Sequence, residues 1–127
     1  AEDPLTGEKI AGSVAEWVLA RQVEEGGRLA VAVIAVGESS RDGRMRFAVE
    51  DQLGAGAIID ALAALGIDYC SPEAAVACAS FVALRTGIGH LVSASVNGRE
   101  LIARGHQRDV LQAAEVDAST EVLVLAE

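Results

Sequence analysis

A chain of 127 residues, 51% hydrophobic but only 3% aromatic, has the length of one domain and the composition of a folded one. Its 19 acids against 10 bases leave a net charge of −9, which argues against a nucleic-acid binder and against docking on an anionic membrane. An anionic ligand would need a local cation: an arginine cluster, a helix N-terminus or a metal.

Ala1 to Gly7, with Pro4, reads as a polar lead-in. Ile10, Val14, Trp17, Val18 and Arg21 then recur at helical spacing and predict a helix over 8–25, stopped by Gly26-Gly27. From Arg28 to Val36 the chain is continuously apolar and bounded by glycine. A run that does not alternate predicts a strand covered on both faces, as in the centre of an α/β sheet. It is also far too short to cross a bilayer. Gly37 to Arg46 is a polar loop with turn signals and three arginines. The next helix is predicted over 47–65, with Val49, Leu53, Gly56, Ile59 and Leu62 on one stripe and Gly66 as its stop. Residues 67–70 read as a short strand or a connector.

Ser71-Pro72-Glu73 is a helix start, since serine caps, proline suits the first turn and an acid meets the helix dipole. That helix runs to about Arg85. Residues 86–90 read as a turn and 91–95 stay ambiguous. Two short helices are expected over 98–104 and 108–115, and a closing strand over 121–125. The expected fold class is thus α/β, a single domain over 1–127 with a mostly parallel central sheet flanked by helices.

Ligands of such sheets gather beyond the carboxyl ends of the strands. Glu38 follows the predicted strand, and Glu50 and Asp51 open the next helix. The three carboxylates could converge on a hard cation such as Mg²⁺. They could equally be acids placed where any helix dipole favours them. Arg41, Arg44 and Arg46 could grip phosphate or sulfonate oxygens, or simply pair with surplus acids. Gly54-Ala-Gly56 is not a dinucleotide loop, because position 59 is Ile59 and the glycines sit inside the helical pattern. It reads as a surface for close packing of the helix on the sheet. Cys70, Cys78, His90 and His106 have neither zinc-site nor catalytic spacing. The cysteines read as structural thiols, and the absence of a Cys-x-x-Cys pair or a secretory leader suggests a reduced, cytoplasmic setting. The only methionine is Met45, so Ala1 is not expected to be a native start.

Taken in order, Val14-Ala-Glu-Trp17, the run 29–36 with Gly37-Glu38, Asp42-Gly43, and Glu50-Asp51 before Leu53-Gly-Ala-Gly56 resemble one family. Ser71-Pro-Glu-Ala74, Ser95 with Gly98-Arg-Glu-Leu101, Gly105 with Asp109, and Val122-Leu-Val124 extend the likeness. The family is that of the 2-phosphosulfolactate phosphatases, Mg²⁺-dependent enzymes tied to coenzyme M synthesis. The chain resembles its C-terminal half, with Leu123 where the family has proline. Family members are about twice as long, and their N-terminal Asp-x-x-Arg-Ala-Ser/Thr and Thr-Thr-Asn-Gly-Thr motifs do not occur here.

The resemblance implies hydrolysis of a small, doubly anionic phosphomonoester. Glu50 and Asp51 would be catalytic, Glu38, Glu50 and Asp51 would hold Mg²⁺, and Arg44 and Arg99 would contact the anion. It implies a homo-oligomer or a second chain supplying the missing half. The alternative is a non-catalytic half-fold serving as an oligomerisation or binding module.

Overall fold

The computed structural model describes residues 6–116 and 119–125. Helix α1 spans Thr6–Glu25, and a hairpin of β1 (Glu38–Ser39) and β2 (Met45–Arg46) follows. Then come α2 (Val49–Ala64), α3 (Pro72–Leu84), a 3-10 turn, α4 (Ile88–Ala94), α5 (Val96–Ala103) and α6 (Gln107–Ala113). Within α1, the expected lead-in gives way to helix from Thr6, and residues 1–5 lie outside the described part.

The predicted helix signals act as expected. Ser71 adopts an extended backbone and its Oγ accepts from the Ala74 N–H at 3.2 Å, with Pro72 in the first turn. Gly66 ends α2 in the left-handed conformation at φ 87°, where a side chain would be strained. Residues 67–70 form a connector that tucks Ile67 against Val18 and Leu62. Residues 88–94, expected to be part turn and part undefined, form α4, and its Ile88 and Val92 enter the core.

The expected parallel sheet is not there. Among the described residues the only sheet is the antiparallel pair of β1 and β2, with Glu38 opposite Arg46 and Ser39 opposite Met45. The run 28–36 has no turn or bend, but no ladder hydrogen bond joins it to another strand. The same holds for the expected closing strand at 121–125. The physical reason lies in what the pattern encodes. An apolar run calls for cover on both faces, and a parallel sheet must supply it with neighbouring strands. Here the helices pack on one another instead, so the described residues are mainly helical with one short hairpin.

Two clusters form its core. Leu53 and Ala57 of α2 pack with Ala11, Phe81, Ile88, Val92, Val110 and Ala113. Farther along α1 and α2, Ala15 and Val18 pack with Leu62. Early residues of α1 thus meet early residues of α2, and later meet later, so the two helices run parallel. The chain must return from the end of α1 to the start of α2. At a helical rise of about 1.5 Å per residue that return is roughly 27 Å, which residues 26–37 cover only if drawn out.

Helix α3 crosses α2 at Gly56, where a Cβ would lie 2.1 Å from the Ala77 carbonyl oxygen. The small-residue stripe therefore does serve close packing, but against α3 and not against a sheet. From Pro72 to Ala94 the helical stretch is apolar and long enough to cross a membrane by length and composition alone, with mean hydropathy 1.5. It is longer than any unbroken apolar run in the sequence, because Ser80, Arg85, Thr86 and His90 interrupt it.

Candidate functional site

The first turn of α2 carries Glu50 and Asp51, and the two acids meet different surroundings. Successive helical residues point about 100° apart. Glu50 shares a face with Leu53 and Ala57 and is 1% exposed. Its Oε1 has no hydrogen-bond partner among the described residues. Asp51 turns toward the loop and its Oδ2 accepts the Gly37 N–H at 2.8 Å. Burial pushes the Asp51 carboxyl up from its ordinary range, the Gly37 N–H opposes this, and the charges of Glu50 and Glu38 add to the rise. Asp51 therefore lies close enough to sense both of the other predicted acids.

A cleft of about 200 Å³ opens here, lined by Val36, Gly37, Met45, Arg46, Phe47 and Asp51. Gly37 sits at φ 78°, and a Cβ there would come 2.8 Å from the Arg46 carbonyl oxygen, so the loop closes on β2 only with glycine. A larger cleft of about 460 Å³ lies between α1, α2 and α3, with Glu16, Asp60 and Arg85 among mostly apolar walls. The smaller one is lined by Asp51 and Arg46 and is the candidate site, while Glu50 lies buried behind it and does not line it.

The predicted arginines separate. Arg44 is 87% exposed and faces Asp42 at 3.6 Å in the hairpin turn. There Asp42 also accepts from the Ser40 hydroxyl and the Arg44 N–H, which hold its carboxyl below the usual range. Arg41 and Arg99 are exposed, Arg99 on α5. Arg46 lines the cleft and reaches Glu100 of α5 with Nη1 to Oε1 at 3.4 Å. That link brings the Gly98-Arg99-Glu100 stretch to the hairpin across 54 residues, and no spacing in the sequence announces it. Asp109 stays exposed beside His106 at 3.3 Å. Both cysteines are free, and burial raises the Cys78 thiol, with Asp60 and Cys70 adding to it.

No three His, Cys, Asp or Glu side chains form a metal-holding group among the described residues. Mg²⁺ does not require one. It keeps several waters and is commonly held by one or two carboxylates together with substrate phosphate. The buried Glu50 Oε1, without a hydrogen-bond partner among the described residues, and the second oxygen of Asp51 are donors of the kind such an ion takes.

An aspartate at a helix N-terminus, an arginine in the same cleft and a glycine loop bonded to that aspartate are parts suited to phosphate-ester chemistry. The family model for 2-phosphosulpholactate phosphatase matches residues 11–127, and the chain belongs to that family. Membership indicates a 2-phosphosulpholactate phosphatase-like function. No curated protein and no solved structure matches the chain significantly.

Removing the Asp51 charge has a predictable effect on stability. A carboxyl whose folded pKa lies above its unfolded value of 3.8 contributes stability that is complete below that pH and is lost as pH rises through the folded value. Asp51→Asn keeps an oxygen for the Gly37 N–H and cannot titrate. In metal-free buffer the variant is expected to gain on the parent as pH climbs from below 3.8 toward neutrality, and then to hold a constant lead. Urea midpoints across that range measure it, and a variant that loses ground with rising pH contradicts it.

Proposed function

We propose that the chain is the acid-bearing, C-terminal part of a Mg²⁺-dependent phosphatase acting on a small, doubly anionic phosphomonoester such as 2-phosphosulfolactate. One observation carries the reading. A buried glutamate with an unpartnered oxygen stands beside an oriented aspartate at the start of α2, in a chain of this family. Glu50 and Asp51 would hold the ion, with Glu38 adding negative field from β1. Held there, Mg²⁺ supplies charge neutralisation at the phosphate oxygens.

The chain's own groups do the rest. Gly37 pins one Asp51 oxygen, so the other keeps a fixed direction for the ion or for the attacking water. Hydrolysis forms a bond from the water oxygen to phosphorus and breaks the ester P–O bond, and the departing alkoxide takes up a proton. Arg46, at the cleft, with Arg44 of the hairpin turn and Arg99 of α5, are the proposed contacts to phosphate and sulfonate, where guanidinium forks match the oxygens. They offset the overall charge of −9 that an anion meets on approach.

The test is phosphate release from 2-phosphosulfolactate by the purified chain, with Mg²⁺ and with a chelator. Release that requires Mg²⁺ and falls by about 100-fold or more in Asp51→Ala supports the reading. No release, or release indifferent to both treatments, overturns it. A second reading, a non-catalytic assembly module, has an observation of its own in the exposed apolar runs at 29–36 and 121–125, where Ile34 is 78% and Leu125 97% exposed. Stable assembly without any Mg²⁺-dependent turnover would favour it.

A further inference from the structure

The strand register offers Arg46 one acid, and the structure gives it another. In the hairpin Arg46 stands directly opposite Glu38, an arrangement in which opposite charges ordinarily pair. No ion pair joins these two among the described residues. The Arg46 Nη1 donates instead to Glu100 Oε1 on α5 at 3.4 Å. A guanidinium carries five N–H donors in a rigid planar fork. This contact is single, and no other bond to the Arg46 guanidinium forms among the described residues. The remaining donors belong to the one cationic residue that lines the cleft with Asp51.

Glu100 sits on the firmer element of the two. Ser95 caps α5, its Oγ accepting the Gly98 N–H at 3.0 Å and donating to the Val92 carbonyl at 2.6 Å. Gly98 packs so closely on α4 that a Cβ would lie 1.9 Å from that same carbonyl oxygen. Leu101 and Ile102, which follow Glu100, pack against the core. The backbone on both sides of Glu100 is therefore fixed. In contrast, β2 is two residues long, and Met45 and Phe47 on either side of Arg46 are exposed.

The pair adds little to folding, because the Glu100 side chain is 49% exposed and the contact is long. It also opposes anion binding, since a carboxylate beside the cleft's cation weakens its field. What it supplies is direction. We propose that Glu100 is a positioning residue: it holds the Arg46 guanidinium so that the remaining N–H donors meet the phosphate of a substrate beside Asp51. Resting on the phosphatase reading, this role adds to it the residue that orients the cation. Without Glu100, Arg46 attracts an anion more strongly but is no longer held where charge develops in the transition state.

The experiment compares the intact parent chain with Arg46→Ala, Glu100→Ala and Glu100→Gln. Calorimetry measures binding of inorganic phosphate, and Mg²⁺-dependent phosphate release from 2-phosphosulfolactate gives kcat and KM. Arg46→Ala should weaken phosphate binding by about tenfold or more. Glu100→Ala should tighten phosphate binding and lower KM by about threefold. Its kcat should nevertheless fall by about tenfold. Glu100→Gln keeps an oxygen for the Arg46 N–H, so it should recover most of the lost kcat while the tighter phosphate binding persists. Urea midpoints of both Glu100 variants should stay at the parent's. A kcat unchanged in Glu100→Ala, phosphate binding and kcat that fall together, or Glu100→Gln no faster than Glu100→Ala would each overturn the proposal and leave the phosphatase reading standing. A parent without Mg²⁺-dependent release would overturn both.

Discussion

Gly56→Ala is expected to destabilise the protein by about 3 kcal/mol or more, although alanine is the better helix former. The added Cβ would sit 2.1 Å from the Ala77 carbonyl oxygen and 2.9 Å from the Phe81 Cβ, where ordinary contact begins near 3.4 Å. The Ala77 carbonyl belongs to the backbone of α3 and cannot rotate away, so the two helices must separate. Phe81, 4% exposed at their crossing, would lose its packing with them. Gly89 in α4 provides the contrast, because a Cβ there meets nothing within 4 Å. Gly89→Ala should stabilise by about 0.5–1 kcal/mol through reduced unfolded-state freedom and better helix propensity. Urea denaturation of the two variants compares one chemical change at two sites. Equal shifts of the same sign would mean that α2 and α3 do not approach as described.

Glu50→Met should separate stability from activity. The buried Oε1 of Glu50 has no partner among the described residues, and leaving such a group unsatisfied costs about 1–3 kcal/mol. Methionine has a similar length and no polar oxygen, so the variant should unfold at a higher temperature, with a gain of that order. If Glu50 holds Mg²⁺, the same change should abolish Mg²⁺-dependent phosphate release. A residue kept at a cost to stability and needed for turnover is what a site demands. A variant that is less stable than the parent would show that Glu50 has a structural partner. A variant that keeps full activity would remove Glu50 from the site.

The helices were legible because their signals are local. Ser71-Pro72 and the glycine stops act on their own turns whatever packs around them, and the 3.6 spacing survives any choice of partner. The sheet was not legible, because the run 28–36 reports a need for cover and nothing in it names the source. The acid pair was legible as chemistry but not as geometry. Glu50 and Asp51 are neighbours in sequence, and only the packing of Leu53 and Ala57 determines that Glu50 is the one turned inward. The arginines show the same limit. Arg44 and Arg46 lie two residues apart, yet the hairpin turn leaves one in solvent and brings the other to Glu100.

Glycine in a helix interior costs about 1 kcal/mol relative to alanine, and α2 carries two in three residues at Gly54 and Gly56. The isolated segment is therefore a poor helix, and it closes its turns only as α1 and α3 dock against it. Glu50 and Asp51 sit in its first turn, with no side-chain cap at Ala48 to hold that turn by itself. The amide protons of that turn should thus exchange with solvent along with those of the docked helix pair, in one cooperative event. The acids would then be in register whenever the protein is folded, and the site would have no separate melting of its own.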